Sequence, residues 1–219
     1  MGAYEGVSNF FAGNLCDLAR ELGYRNDNIC VLTGDAITLQ RLFPDTYNCI
    51  MSCTHNRDAR FPIQYAQDIV ASWLFEDYLV SSFSNLGRRL VLTGGDRDRI
   101  LLRNSQVSSA SDCVYISPTR SLKVEIMNSY TPFWKTNRRL HLRDSKYNQL
   151  CNEHGVLLCI DMSDNSFAII DFTKNAPPAR RIPNYWLYGG KTAYEVSLAH
   201  VEFYEFEIPA IIACLDKLV

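Results

Sequence analysis

Two carboxylates on neighbouring apolar runs are the side chains of this sequence best placed to do chemistry. Asp112 lies in Ser111-Asp112-Cys113-Val114-Tyr115-Ile116, and Glu125 lies in Ser121-Leu122-Lys123-Val124-Glu125-Ile126-Met127-Asn128. Each run reads as a short strand, and paired carboxylates on adjacent strands form the protein half of a magnesium site, with water and a phosphate oxygen filling the remaining positions. Period-two alternation puts Lys123, Glu125 and Met127 on one face of the second strand and Leu122, Val124 and Ile126 on the other. The apolar trio takes the core side, which leaves Glu125 opposite. If Asp112 points the same way, the two acids can share one Mg²⁺ or Mn²⁺, and the chemistry expected is phosphodiester hydrolysis. On these two residues alone, ordinary strand-end carboxylates are the simpler reading.

The elements that must position the pair are legible around it. The longest helical pattern runs over 62–86, opened by Pro62 and ended by Gly87, and a step of three and four along it aligns Ala66, Ile69, Trp73, Glu76, Val80 and Phe83. Glu76 thus stands in the core-facing stripe, either as a helix-edge carboxylate reaching solvent or as an acid turned toward a metal or a basic partner. A strand over 88–93 and a polar loop over 94–99 follow, then the Asp112 and Glu125 strands separated by a turn at Pro118. A helix is predicted over 143–153, ended at His154-Gly155, and a hairpin over 156–162 and 167–172, turning at Asp164-Asn165. Before all of this come an amphipathic helix over 6–22, closed by Gly23, and a short helix over 35–43 with Asp35 as its cap. A helix-turn-helix reading of the first sixty residues fits the turn and spacing poorly. The pattern predicts an α/β fold, a mixed central β-sheet flanked by helices. It divides into an N-terminal helical and irregular extension (1–60) and a core (61–219) ending in a basic loop and a helix.

The order of these parts resembles the PD-(D/E)XK nuclease superfamily, the restriction-endonuclease-like fold: a helix with an inward acid, a strand, an Asp-led strand, an acid thirteen positions on, a basic segment with a helix, and a closing hairpin. The likeness covers 62–172, half of the chain, and its motif is short and degenerate. It implies that Asp112 and Glu125 are the metal-binding acids and that Glu76 corresponds to the first-helix acid of some members. Ser111 replaces the usual proline before the aspartate. The lysine normally found two positions after the acid falls on Met127, whose thioether can neither polarise a water nor stabilise a pentavalent phosphorane. Three readings stay open. Lys123, on the strand face of Glu125, supplies the amine; or Lys146, on the following helix, does so; or the site has lost it.

Charge is segregated along the chain although the net value is only −2. Five cations against one acid lie over 134–146, among them Arg138, Arg139, Arg143 and Lys146, and four cations against no acid lie over 173–191, including Arg180 and Arg181. These six are the candidate phosphate contacts, whereas Phe133 and Trp134 read as loop anchors. The segment 180–191 reads as an ordered loop, either reaching into a groove or packed by Trp186 and Tyr188 against the sheet. The eight cysteines are scattered singly, without a Cys-x-x-Cys pair, and read as reduced packing residues. Cys49-x-x-x-Cys53-x-His55, which Cys30 could join, offers too few soft ligands to specify zinc. No Gly-x-Ser-x-Gly elbow, phosphate-binding Gly-Lys loop or His-Glu-x-x-His motif occurs. The expectation is a soluble, cytoplasmic Mg²⁺-dependent DNA endonuclease without a membrane partner. It acts as a homodimer, because cutting two strands with one site per chain asks for two chains. The alternative is a catalytically impaired relative that binds nucleic acid or assembles with a partner.

Overall fold

A computed structural model describes residues 2–53, 60–101 and 111–219. The chain divides into two units, Met1–Leu79 with Gly95–Ser108, and Val80–Gly94 with Ser109–Val219. The division expected at residues 60 and 61 falls within the first unit.

Capping residues set the helices of the first unit. Helices α1 (Ala3–Phe11) and α2 (Leu15–Glu21) replace the single helix expected over 6–22. Ala12 takes a left-handed φ of 49°, and Asn14 accepts a hydrogen bond from the Cys16 amide at 2.9 Å, so the chain stops and restarts on a residue better suited to a cap than to a helix interior. Helix α3 (Asn26–Thr33) was not anticipated. Helix α4 (Ala36–Leu42) begins as expected at Asp35, whose carboxylate accepts from the Thr38 amide at 3.0 Å, and α5 (Pro44–Met51) opens on a proline. Helix α6 (Pro62–Asn85) starts in this unit and ends in the second, closed by Gly87 at φ 69°. Arg99 ties the α6 portion of the first unit together: its guanidinium lies 2.9 Å from Glu76 and 2.7 Å from Asp77, and 5.7 Å from the Trp73 ring centroid.

The second unit follows in the order β1 (Arg89–Leu92), β2 (Cys113–Ile116), β3 (Ser121–Ser129), α7 (Phe133–Asn137), β4 (Arg139–Arg143), α8 (Asp144–Glu153), β5 (Val156–Asp161), β6 (Ser166–Asp171), β7 (Ala179–Tyr185), β8 (Lys191–Ser197), β9 (Tyr204–Glu205) and α9 (Ile208–Asp216). Strands β1, β2 and β3 form an antiparallel meander. The connection through α7, β4 and α8 then returns the chain to lay β5 parallel to β3, as a parallel pair requires a long crossover. With β6 and β9 added, the sheet has the order β1-β2-β3-β5-β6-β9. The fold is α/β with a mixed central sheet flanked by helices.

Both faces of this sheet are covered. On one, Tyr115 is fully buried with its ring 5.9 Å from that of Phe83, and its hydroxyl donates at 2.5 Å to Asp216 of α9. On the other, Leu157, Cys159, Ala168 and Ile170 pack with Leu150 of α8 and with Leu140, Leu142 and Val196. The last three belong to a second sheet, of order β4-β8-β7, that the sequence reading did not foresee. Its β7–β8 hairpin occupies the segment read as a loop, with a 3₁₀ turn over Trp186–Tyr188. Trp134 is buried in the same cluster, as an anchor should be, whereas Trp186 is 78% exposed. All eight cysteines are free thiols. Among the described residues, no helix is long and apolar enough to cross a membrane.

Candidate active site

The β2–β3 register brings the two expected acids together. Cys113 pairs with Val124, and one step further along the antiparallel ladder sets Asp112 opposite Glu125. Asp112 stands just before β2, held from both sides: its carbonyl accepts from the amides of Thr93 at 2.9 Å and Gly94 at 3.3 Å, and its Oδ2 accepts from the Ile126 amide at 2.9 Å. The side chain is thereby fixed against β3 beside Glu125.

Glu125 is the more perturbed of the two. The parallel register places it across from Leu157, on the sheet face that packs beneath α8, so it is only 8% exposed. Burial first, and the Asp112 carboxylate second, push its pKa from 4.5 up to about 7, against the opposing pull of Lys146. Lys146 Nζ sits 2.6 Å from Glu125 Oε1, while Glu125 Oε2 is buried without a hydrogen-bond partner among the described residues. Helix α8 places the lysine. Lys146, Gln149 and Glu153 follow at spacings of three and four, and the latter two reach the neighbour of Asp112: Gln149 donates to Ser111 Oγ at 3.1 Å, and Ser111 Oγ donates to Glu153. Gln149 and Glu153 were not singled out in the sequence, although their helical spacing from Lys146 carried the signal.

Lys123 shares the face of Glu125 but is exposed, and Glu76 is engaged with Arg99 in the first unit. Met127, two positions beyond Glu125 on the same face, packs against the apolar cluster under α8. Its thioether fills space at the position where a lysine was expected, and the amine nearest Glu125 comes from the helix. Of the expected phosphate contacts, Arg138 Nη2 donates to the carbonyls of Ala199 and Val201 at 3.3 and 2.8 Å, and the Arg143 guanidinium lies 5.3 Å from the Tyr188 ring centroid. Arg139 and Arg180 both contact Glu195, at 3.1 and 3.0 Å, and Arg181 is exposed on β7.

Among the described residues, no group of three or more His, Cys, Asp or Glu side chains is arranged to hold a metal ion. His55 of the cysteine-rich segment lies outside the described residues, and Cys49 Sγ donates to the Leu101 carbonyl at 2.9 Å. The Asp112–Glu125 pair still suits a hard cation that keeps several of its waters and needs one or two carboxylates from the protein. It offers two oxygen-donor side chains whose charges oppose each other, and one buried oxygen lacks a partner. No protein-family model matches this chain, and no curated protein matches it.

Proposed function

We propose that this chain is a divalent-metal-dependent endonuclease acting on DNA, with Asp112 and Glu125 as the Mg²⁺ or Mn²⁺ ligands and Lys146 as the amine of the site. The observation that carries the reading is the Lys146 ammonium 2.6 Å from a buried carboxylate that sits beside a second carboxylate. Two adjacent acids and a lysine are the set that the PD-(D/E)XK resemblance calls for. The order α6, β1, β2, β3 and, after α7 and β4, α8 and β5 also supports this reading. A restriction-like architecture, a homodimer and a cytoplasmic location belong to the same proposal.

The roles follow from the positions. When bound, the cation would neutralise charge on the scissile phosphate and acidify a water. Asp112 is held against β3 by the Ile126 amide, which would fix it in place beside Glu125. Glu125, with a pKa near neutrality, ionises fully only above pH 7 or when positive charge arrives. Lys146 is 29% exposed at its side chain, so its ammonium reaches both Glu125 and the solvent side, where it can orient an attacking water or a phosphate oxygen.

The test is cleavage of supercoiled plasmid with Mg²⁺ or Mn²⁺ by the wild type, Asp112→Ala, Lys146→Ala and Met127→Lys. Cutting by the wild type, lost in Asp112→Ala and reduced about a hundredfold or more in Lys146→Ala, supports the proposal. Cutting gained only by Met127→Lys would instead support the impaired relative, the reading that Met127 favours. No cutting and no DNA binding in any variant would sink both.

A further inference from the structure

The second sheet carries a cleft of about 580 Å³ that the chemistry above does not use. Met127 borders it and also shares a strand face with Glu125, so the cleft begins about 7 Å along β3 from the candidate metal ligand. The outer face of β4, β8 and β7 makes its wall through one cross-strand row, His141, Glu195 and Arg180. Glu195 orients that row. Its Oε2 meets Arg139 at 3.1 Å and His141 Nε2 at 3.3 Å, and its Oε1 meets Arg180 at 3.0 Å.

The lining combines flat aromatic surface with positive charge. The His141 ring stacks on Tyr185 at 4.7 Å and 23°. Trp186, 78% exposed at the tip of the hairpin, and Phe133, 37% exposed, present further ring surface. Two guanidiniums stand against one carboxylate, leaving one positive charge in excess. A ligand with a planar π-face joined to an anion fits this lining, whereas a purely apolar chain would leave the excess positive charge unmatched.

We infer that the cleft holds an unpaired nucleotide of the substrate strand, its base stacked on the Trp186 and Tyr185 side and its phosphate against Arg139 and Arg180. That the occupant belongs to a nucleic acid rests on the proposed nuclease reading. A base inside a duplex cannot present its face, so the cleft favours single-stranded, flapped or extrahelical positions over continuous duplex.

Fluorescence anisotropy in EDTA, where binding is read without cutting, tests this with labelled single-stranded DNA, the same sequence as RNA, and the perfect DNA duplex. The expected result is tighter binding to single strands than to duplex. Trp186→Ala should weaken single-strand binding about tenfold, with duplex binding nearly unchanged and Trp186→Phe restoring most of the loss. Arg180→Gln should weaken binding to every nucleic acid and lower its salt dependence. The DNA and RNA arms identify the strand type that fills the cleft. Equal affinity for single strand and duplex, or single-strand binding insensitive to Trp186→Ala, overturns the inference even if the plasmid is cut. Trp186-dependent single-strand binding by a protein that cuts nothing upholds the cleft and overturns the nuclease reading instead.

Discussion

Replacing Glu125 with glutamine should change how stability depends on pH, and the size of the effect follows from the site. Its carboxyl is pushed from 4.5 to about 7 by burial and by Asp112. That rise corresponds to about 3 kcal/mol against the ionised form in the folded protein. Near pH 4 the side chain is protonated in both folded and unfolded chains, and no penalty is felt. Between pH 4.5 and about 7 the unfolded chain releases the proton while the folded one keeps it. The folded state then binds more protons, so the unfolding free energy falls as pH rises, by up to about 1.4 kcal/mol per pH unit. Above 7 both states are ionised, and the full penalty is present. Glutamine has nothing to titrate. The stability of Glu125→Gln relative to the wild type should therefore rise by about 3 kcal/mol between roughly pH 4.5 and pH 8. Titrations of groups distant from Glu125 are common to both proteins and cancel in this difference. Urea denaturation followed by circular dichroism across that range measures it. Asp112→Asn in both backgrounds separates the share due to the neighbouring charge. Excess Mg²⁺ should recover stability for the wild type at the alkaline end and do nothing for Glu125→Gln. A difference that stays flat with pH, or a wild type that gains on the glutamine variant above pH 7, would refute the claim that Glu125 is held as a penalised carboxylate.

Two further outcomes test the scaffold rather than the chemistry. Arg99 is 12% exposed at its side chain and contacts both Glu76 and Asp77, so Arg99→Met leaves two partly buried carboxylates without this cation and should destabilise the first unit by about 3 kcal/mol, read by denaturant titration. If Glu76 were instead free to serve as a metal ligand, that substitution would cost little. Leu150 is 2% exposed and fastens α8 to the sheet, so Leu150→Ala should cost about 3 kcal/mol and lower plasmid cleavage through the position of Lys146, whereas Lys146→Ala should lower cleavage with a stability cost that grows above pH 7, where Glu125 is left ionised and without its lysine.

The parts of this fold that were legible in the sequence are those set by local physics. The cap at Asp35, the proline that opens α6 and the glycine that closes it, and the alternation along β3 each act within a few residues, and each element stands where it was expected. The break between α1 and α2 is equally local, but the continuous apolar period of 6–22 masks the preference of Asn14 for a cap. The second sheet escaped for a different reason. Strand β4 pairs with β8, and β8 pairs with β7, so half of its register depends on residues fifty or more positions apart. The charged alternation of Arg139, His141 and Arg143 resembles an exposed segment until that partner is known. The same long-range pairing makes the walls of the cleft, so no local pattern marks Glu195 as the residue that joins Arg139, His141 and Arg180.

The lysine problem shows most directly how sequence spacing can mislead about a site. A strand motif counts positions along one chain segment, and by that count Met127 occupies the place of the amine. Space is filled differently. The β3–β5 register puts Met127 across from Cys159, half-buried against an apolar row, while Glu125, two residues earlier, lies where α8 passes over the sheet. An amine delivered from the helix meets the carboxylate at 2.6 Å and keeps part of its side chain in solvent. A lysine at 127 would have to cross the apolar cluster or bend back along the strand to reach the same oxygen. Changing Met127 to lysine should therefore lower stability and add no cutting to a protein whose Lys146 is intact, an outcome that plasmid cleavage and urea denaturation can check together.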